Sequence, residues 1–230
     1  MNNIAAIFKK QLKDTLKNKM VLIQFVMFPV MTLIMNSSIK MQDMPKNFLV
    51  NLFATMYIGM APLTSIASII SEEKEKNTLR VLIMSNVKPH EYLLGIGSYV
   101  WLACMFGSTV ICIAGGYNLQ TGITFMGIMA AGILTSLLIG AIIGIWSKTQ
   151  MMATSITVPV MMVFSFVPML SMFNSTIEKI ARIIYSEQIS RMLSQIDSLQ
   201  LQVTNMGIVV MNFLIAAVGF VVIFKRCKLQ

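Results

Sequence analysis

Apolar residues run along this chain in six long blocks, at 20–39, 49–70, 92–115, 122–146, 151–173 and 206–224. A helix needs about 20 residues to cross a bilayer core of about 30 Å, and each block is long enough. The pattern predicts an all-α integral membrane protein with six transmembrane helices. Two shorter stretches carry a mixed pattern. In residues 2–19, Ile4, Phe8, Leu12 and Leu16 recur every fourth position with Ile7 beside them, while Lys9, Lys10, Lys13, Lys17 and Lys19 fill much of the remainder. That is an N-terminal amphipathic helix suited to the headgroup region, and an ordinary charged lead-in to a span fits equally well. Residues 174–205 are too long for a turn; Ile177, Ile180, Ala181 and Ile184, then Ile189, Met192, Leu193, Ile196 and Leu199, recur at helical spacing. They predict one or two short external helices between spans five and six, either capping a pathway or resting on lipid.

Within the fourth block, Gly132, Ser136, Gly140 and Gly144 fall at four-residue steps and form a face of small residues that admits a second helix closely. The partner is either another helix of the same subunit or a dimer mate. Pro29, Pro62, Pro159 and Pro168 lie inside spans, where each kinks its helix and frees a carbonyl.

Composition supports the membrane assignment: 56% of the 230 residues are hydrophobic and 12% are charged. The net charge of +9 comes with no basic patch interleaved with aromatics, so it reflects membrane topology and no nucleic-acid partner is expected. Thirteen of the eighteen lysines and arginines fall before span one, between spans two and three, between four and five, and after span six. The positive-inside bias then puts both termini in the cytosol and the chain in the plasma membrane. The first apolar run lacks a small-residue cleavage site, so it is expected to stay as an uncleaved span. Cys104, Cys112 and Cys227 show no CxxC spacing and are expected to fill space.

All nine acidic residues, all eighteen basic residues and the single histidine, His90, lie outside the six blocks. An ion-coupled carrier places ionisable groups within the membrane, so a self-powered secondary transporter is disfavoured. One histidine and three scattered cysteines make no metal site, and HExxH and GxSxG are absent, so neither a metal centre nor an enzyme is expected. No GxxxxGK[ST] loop occurs, so the chain is no P-loop ATPase and needs no cofactor of its own. If it performs work, a partner supplies the energy.

The charge that the spans lack is concentrated in residues 71–91, which hold eight charged side chains and His90. Ser71 suits a helix start, Glu72, Glu73 and Glu75 suit the positive end of the helix dipole, and Leu79, Leu82 and Ile83 make an apolar stripe before Pro89. The residues alone describe a short cytosolic helix or a solvated loop at the interface.

This stretch, EEKEKNTLRVLIMSNVKPHEYLLG, resembles the cytosolic loop of the type-2 ABC exporter permeases through Glu73, Glu75, Thr78, Leu79, Leu82, Glu91 and Gly95. It departs from that family's usual pattern at Asn77, Asn86 and Ile96. The resemblance extends to the amphipathic start, the six spans and the external helices, and so takes residues 1–230 as one permease domain. It implies a second permease subunit, identical or paralogous, and a cytosolic ATP-binding subunit that holds ATP and Mg. It also makes Glu72 to Leu82, with Thr78 among them, the candidate coupling element: Leu79 and Leu82 suit a cleft of the ATPase, and Glu and Lys groups, among them Glu72, Glu73 and Glu75, set register at a polar rim. The function implied is ATP-driven export at a dimer interface. Spans rich in Met, Phe and Ile with scattered hydroxyls suit an amphipathic or hydrophobic cargo such as a peptide, toxin or drug. The second hypothesis is a non-transporting immunity or sensor module that binds a peptide or a partner, motivated by the 22 methionines, which make adaptable surfaces.

Overall fold

The computed structural model describes residues 3–38, 47–84, 87–196 and 203–227, and all ten regular elements among them are α-helices. In chain order they are α1 (Asn3–Lys17), α2 (Lys19–Ser38), α3 (Phe48–Glu75), α4 (Thr78–Met84), α5 (Pro89–Ala114), α6 (Leu119–Trp146), α7 (Gln150–Ser171), α8 (Ser175–Ala181), α9 (Tyr185–Ser194) and α10 (Val203–Cys227). Lys40, Lys46, Asn86, Leu199 and Lys228, which the sequence argument uses, lie outside the described residues.

Six of the helices, α2, α3, α5, α6, α7 and α10, are long and apolar enough to cross a membrane. Their ends fall within three residues of the predicted blocks except at one place, where α3 runs on to Glu75. Residues 71–75 contain no glycine or proline to stop it, and the break comes at Asn77, which adopts the left-handed region at φ 56°. The expected helix start at Ser71 is therefore corrected: Ser71 is buried inside α3, its hydroxyl donating to Ser68 O at 3.1 Å. Glu72, Glu73 and Glu75 end a helix instead of beginning one.

α3 is the hub of the bundle. Its buried positions, from Val50 to Glu73, go right round the helix, as expected of a span enclosed by neighbours on every side. It packs on α2, α5, α6, α7 and α9, while α10 leans on α6 and α9 and leaves much of its own surface exposed.

The small-residue face of α6 lies against α3 and α9 of the same chain. A side chain at Gly140 would run into Leu63 O of α3, and a Cβ at Gly144 would lie 2.9 Å from Ile70 Cβ. Gly132 meets Ile58 and Ile189 in the same way. Ser136 supplies the polar contact in this seam. Pro62 has no N–H, which frees the Ile58 carbonyl four residues earlier, and Ser136 Oγ donates to that carbonyl at 2.7 Å. Tyr185 OH of α9 lies 2.7 Å from the same Oγ, placed to donate to it. The four residues are thus taken up inside the subunit.

The N-terminal helix docks through an unexpected face. Ile7, Gln11 and Thr15 point inward, at a spacing of four, whereas Leu12 and Leu16 of the predicted apolar stripe are exposed. Glu73 is the reason: Gln11 Nε2 donates to its Oε1 at 2.7 Å and Lys10 forms an ion pair with the same atom. α9 also departs from a helix lying on a surface, since nearly every residue from Tyr185 to Leu193 is buried. Asn51 of α3 donates from Nδ2 to Leu193 O at 3.2 Å and holds its end. α8 remains peripheral, with Ile180 exposed and Ala181 buried.

Candidate coupling site and transport cleft

The end of α3 collects the charged residues singled out in the sequence, and each has a different partner. Glu73 is buried and binds α1 as described. Glu72 forms an exposed pair with Lys76 at 2.5 Å, which holds the Lys76 ammonium above its usual range. Lys74 and Glu75 reach across to the turn between α6 and α7. Lys74 Nζ donates to Ser147 O at 2.6 Å and also to Ile145 O, which places a cation on the carbonyl end of α6. Glu75 Oε2 accepts from the backbone N–H of Gln150 at 2.6 Å, an anion at the first turn of α7. Thr149 completes that cap by accepting from Met152 N at 3.2 Å. Two adjacent side chains of α3 thereby satisfy the facing ends of two other helices, and the α6–α7 turn is tied to α3. The sequence reading missed this role for Lys74; an acid and a base in succession at the end of a span was the available signal.

α4 follows after Asn77. Thr78 Oγ1 donates to Glu73 O at 3.1 Å and sets the start of the new helix. Its apolar residues divide by face. Leu79 is 5% exposed and belongs to the core, and Leu82 is partly buried against it, whereas Val81 and Met84 are 64% and 79% exposed. The left-handed step at Asn77 turns the Leu79 side toward the chain's own core. Between α1, α4 and the end of α3 lies a cavity of about 580 Å³, lined by Lys10, Asp14, Lys17, Glu72, Lys76 and Thr78 among others.

A second cleft, of about 360 Å³, opens between α2, α3 and α7. Its walls are apolar but carry a row of uncharged polar groups: Gln24, Thr64, Ser68, Gln150, Thr154 and Thr157. Gln24 Oε1 accepts from Ser65 Oγ at 3.0 Å, and Gln150 Nε2 donates to Ser68 Oγ at 3.1 Å. The Thr157 hydroxyl is buried without a hydrogen-bond partner among the described residues. Gln150 joins the two regions, since its backbone is held by Glu75 and its side chain lines the cleft.

A sequence model described as "ABC-2 family transporter protein" matches residues 2–225. The chain belongs to the ABC-2 transporter family. No curated protein is significantly similar to it. Membership makes it a multi-pass membrane transport subunit of the permease kind and implies an ABC ATP-binding partner. Such a partner accords with the charged end of α3 and with apolar blocks that hold no acidic or basic residue.

The far end of α7 carries a third polar cluster. Ser171 Oγ donates to Glu187 Oε2 at 2.7 Å, and Arg191 Nε donates to Glu187 Oε1 at 2.8 Å. Arg191 also reaches Glu178 at 2.9 Å, and Arg182 reaches the same carboxylate at 3.1 Å. Hydrogen bonds from Arg191 and then Arg182 hold the Glu178 carboxyl below its usual range. The network fastens α8 and α9 to the end of α7.

Proposed function

We propose that this ABC-2 permease is one half of an ATP-driven exporter whose cargo, amphipathic or hydrophobic, passes through the cleft between α2, α3 and α7. α4 and the end of α3 receive the movement of the ATP-binding subunit, which carries the ATP and Mg. The observation that carries this is the double cap made by Lys74 and Glu75. A displacement of α4 pulls on the end of α3; the Glu75 cap passes it to the first turn of α7, a wall of the cleft, while Lys74 carries the end of α6 along. Val81 and Met84 are the apolar contacts that α4 offers to the ATPase. In this orientation the α4 side and both termini face the cytosol, by the positive-inside bias.

A second permease subunit, a copy of this chain or a paralogue, covers the cleft. Polar groups facing lipid are costly, and α2 and α7 expose apolar faces on both sides of the row, including Ile23, Val30, Met162 and Phe166. Pairing through these faces shelters the row and makes one pathway from two halves. Membership in a transporter family does not favour the immunity or sensor alternative.

The test replaces Lys74 with Met and Glu75 with Gln in the permease purified with its ATP-binding subunit and returned to vesicles. Cargo-stimulated ATP hydrolysis is expected to fall about tenfold or more while complex formation survives. Val81→Asp with Met84→Asp is expected to lose the ATPase subunit on gel filtration. Full coupling in the first variant would remove the caps from the pathway of motion.

A further inference from the structure

An open groove of about 580 Å³ runs between α5, α6 and α10, on the flank away from the cleft. Its walls include Trp101, Leu138, Phe213, Phe220 and Phe224, and its only hydroxyl, that of Ser98, is turned to Gly95 O at 3.0 Å. Gly97 lines it as well, and a Cβ built there meets nothing within 4 Å.

Two features set this groove apart from an ordinary lipid-facing surface. The first is its length. From His90 to Trp101 on α5, and from Phe213 to Phe224 on α10, it spans eleven residues, about 16 Å at 1.5 Å per residue. That is close to one leaflet's share, about 15 Å, of the hydrocarbon core. The second is the charge at one end. His90 and Phe224 mark the rim on the α4 side, and the exposed Lys88, Lys225 and Arg226 stand next to them in sequence. None of these three cations forms an ion pair among the described residues; Glu91, the acid of the same turn, accepts from Asn3 Nδ2 at 3.0 Å and Lys88 N at 2.9 Å, and its charge acts on Lys88 and His90, so Lys225 and Arg226 supply the excess positive charge of the rim.

We propose that the groove holds one anionic phospholipid from the leaflet on the α4 side, with an acyl chain along α5 and α10 and its phosphate among Lys88, His90, Lys225 and Arg226. An apolar trench one leaflet deep fits an acyl chain, and a basic rim next to it attracts an anionic headgroup. A membrane-spanning segment of another protein would extend past Trp101 and Phe213, where the trench ends. The inference does not depend on what the cleft carries.

Retention of phosphatidylglycerol and phosphatidylcholine is counted by native mass spectrometry as detergent strips the full-length protein. Wild type is expected to keep one phosphatidylglycerol several-fold longer than phosphatidylcholine. Gly97→Phe, which fills the groove, should lose both, whereas Gly127→Phe, at another glycine with open space, should behave as wild type. Lys225→Gln with Arg226→Gln should equalise the two lipids. A measurement that leaves the groove unfilled uses Trp146→Phe, so that Trp101 is the one remaining indole of the two. Brominated phosphatidylglycerol added in detergent should quench it saturably, near one lipid per chain, and brominated phosphatidylcholine should quench it less. Unchanged retention in Gly97→Phe, or equal quenching by the two lipids, overturns the proposal.

Discussion

The two flanks of α3 and α6 are built from similar apolar residues and differ in their polar ones. On one side, the cleft of α2, α3 and α7 carries Gln24, Thr64, Ser68, Gln150, Thr154 and Thr157 along otherwise apolar walls. On the other, the groove of α5, α6 and α10 confines its charge to one rim. The difference teaches where lipid is tolerated. Hydrocarbon gives hydrogen-bonding groups no partner, so a polar row persists only where protein or cargo covers it, while the apolar trench has no such need. The α3–α6 seam separates the two.

The largest effect is expected from breaking that seam. Gly140→Leu forces a side chain into Leu63 O, and overpacking of this kind costs about 1–3 kcal/mol or more. The variant is expected to lose most of its folded fraction, read by gel filtration and thermal unfolding in detergent; a wild-type melting temperature would mean that α3 and α6 can separate without loss.

Sharpening the comparison needs a smaller change. Gln24→Leu removes a cleft amide, and a hydrogen bond worth about 1 kcal/mol corresponds to about a five-fold weakening of cargo-stimulated ATP hydrolysis. Ser98→Ala, in the groove, is expected to leave that stimulation unchanged. Equal losses in both would dissolve the functional distinction between the flanks.

The smallest effect belongs to pH. The Glu178 carboxyl is held below its usual value of 4.5 by Arg191 and Arg182, so its contribution is present above that value and is lost as pH falls through the lowered one. Hydrogen-exchange protection in α8 and α9, taken relative to the intrinsic rate at each pH, is expected to fall once pH drops below 4.5, at the α7 end only. Glu178→Gln should remove this dependence, and an unchanged profile in that variant would assign it to another group.

The span helices were legible because membrane insertion demands about 20 apolar residues in a row, a constraint read directly from the chain. The resemblance in residues 71–95 led to the family that the comparison then established. The candidate site was only half legible. Glu72, Glu73 and Glu75 were visible as a cluster, yet Gln150, which binds Glu75, and Gln11 and Lys10, which bind Glu73, lie more than sixty residues away in sequence. Leu79 and Val81 look alike in the chain, and the left-handed step at Asn77 decides which of them faces out. The buried α9 was hidden for a similar reason. Its alternating charged and apolar residues read as a surface helix, and only Ser171, Arg191 and the α3–α6 seam make a home for Glu187 and Tyr185 inside.

Sequence by itself determined the six spans, the exclusion of charge from them and the family, because hydrophobic length and charge placement are local properties priced by the bilayer. Tertiary structure alone decided that Lys74 and Glu75 close the ends of α6 and α7, that Ser136 satisfies the carbonyl freed by Pro62, and that the row of amides and hydroxyls gathers in the cleft of α2, α3 and α7. Hydrogen bonds between distant segments exist only after the helices have packed, since each needs two groups within about 3 Å.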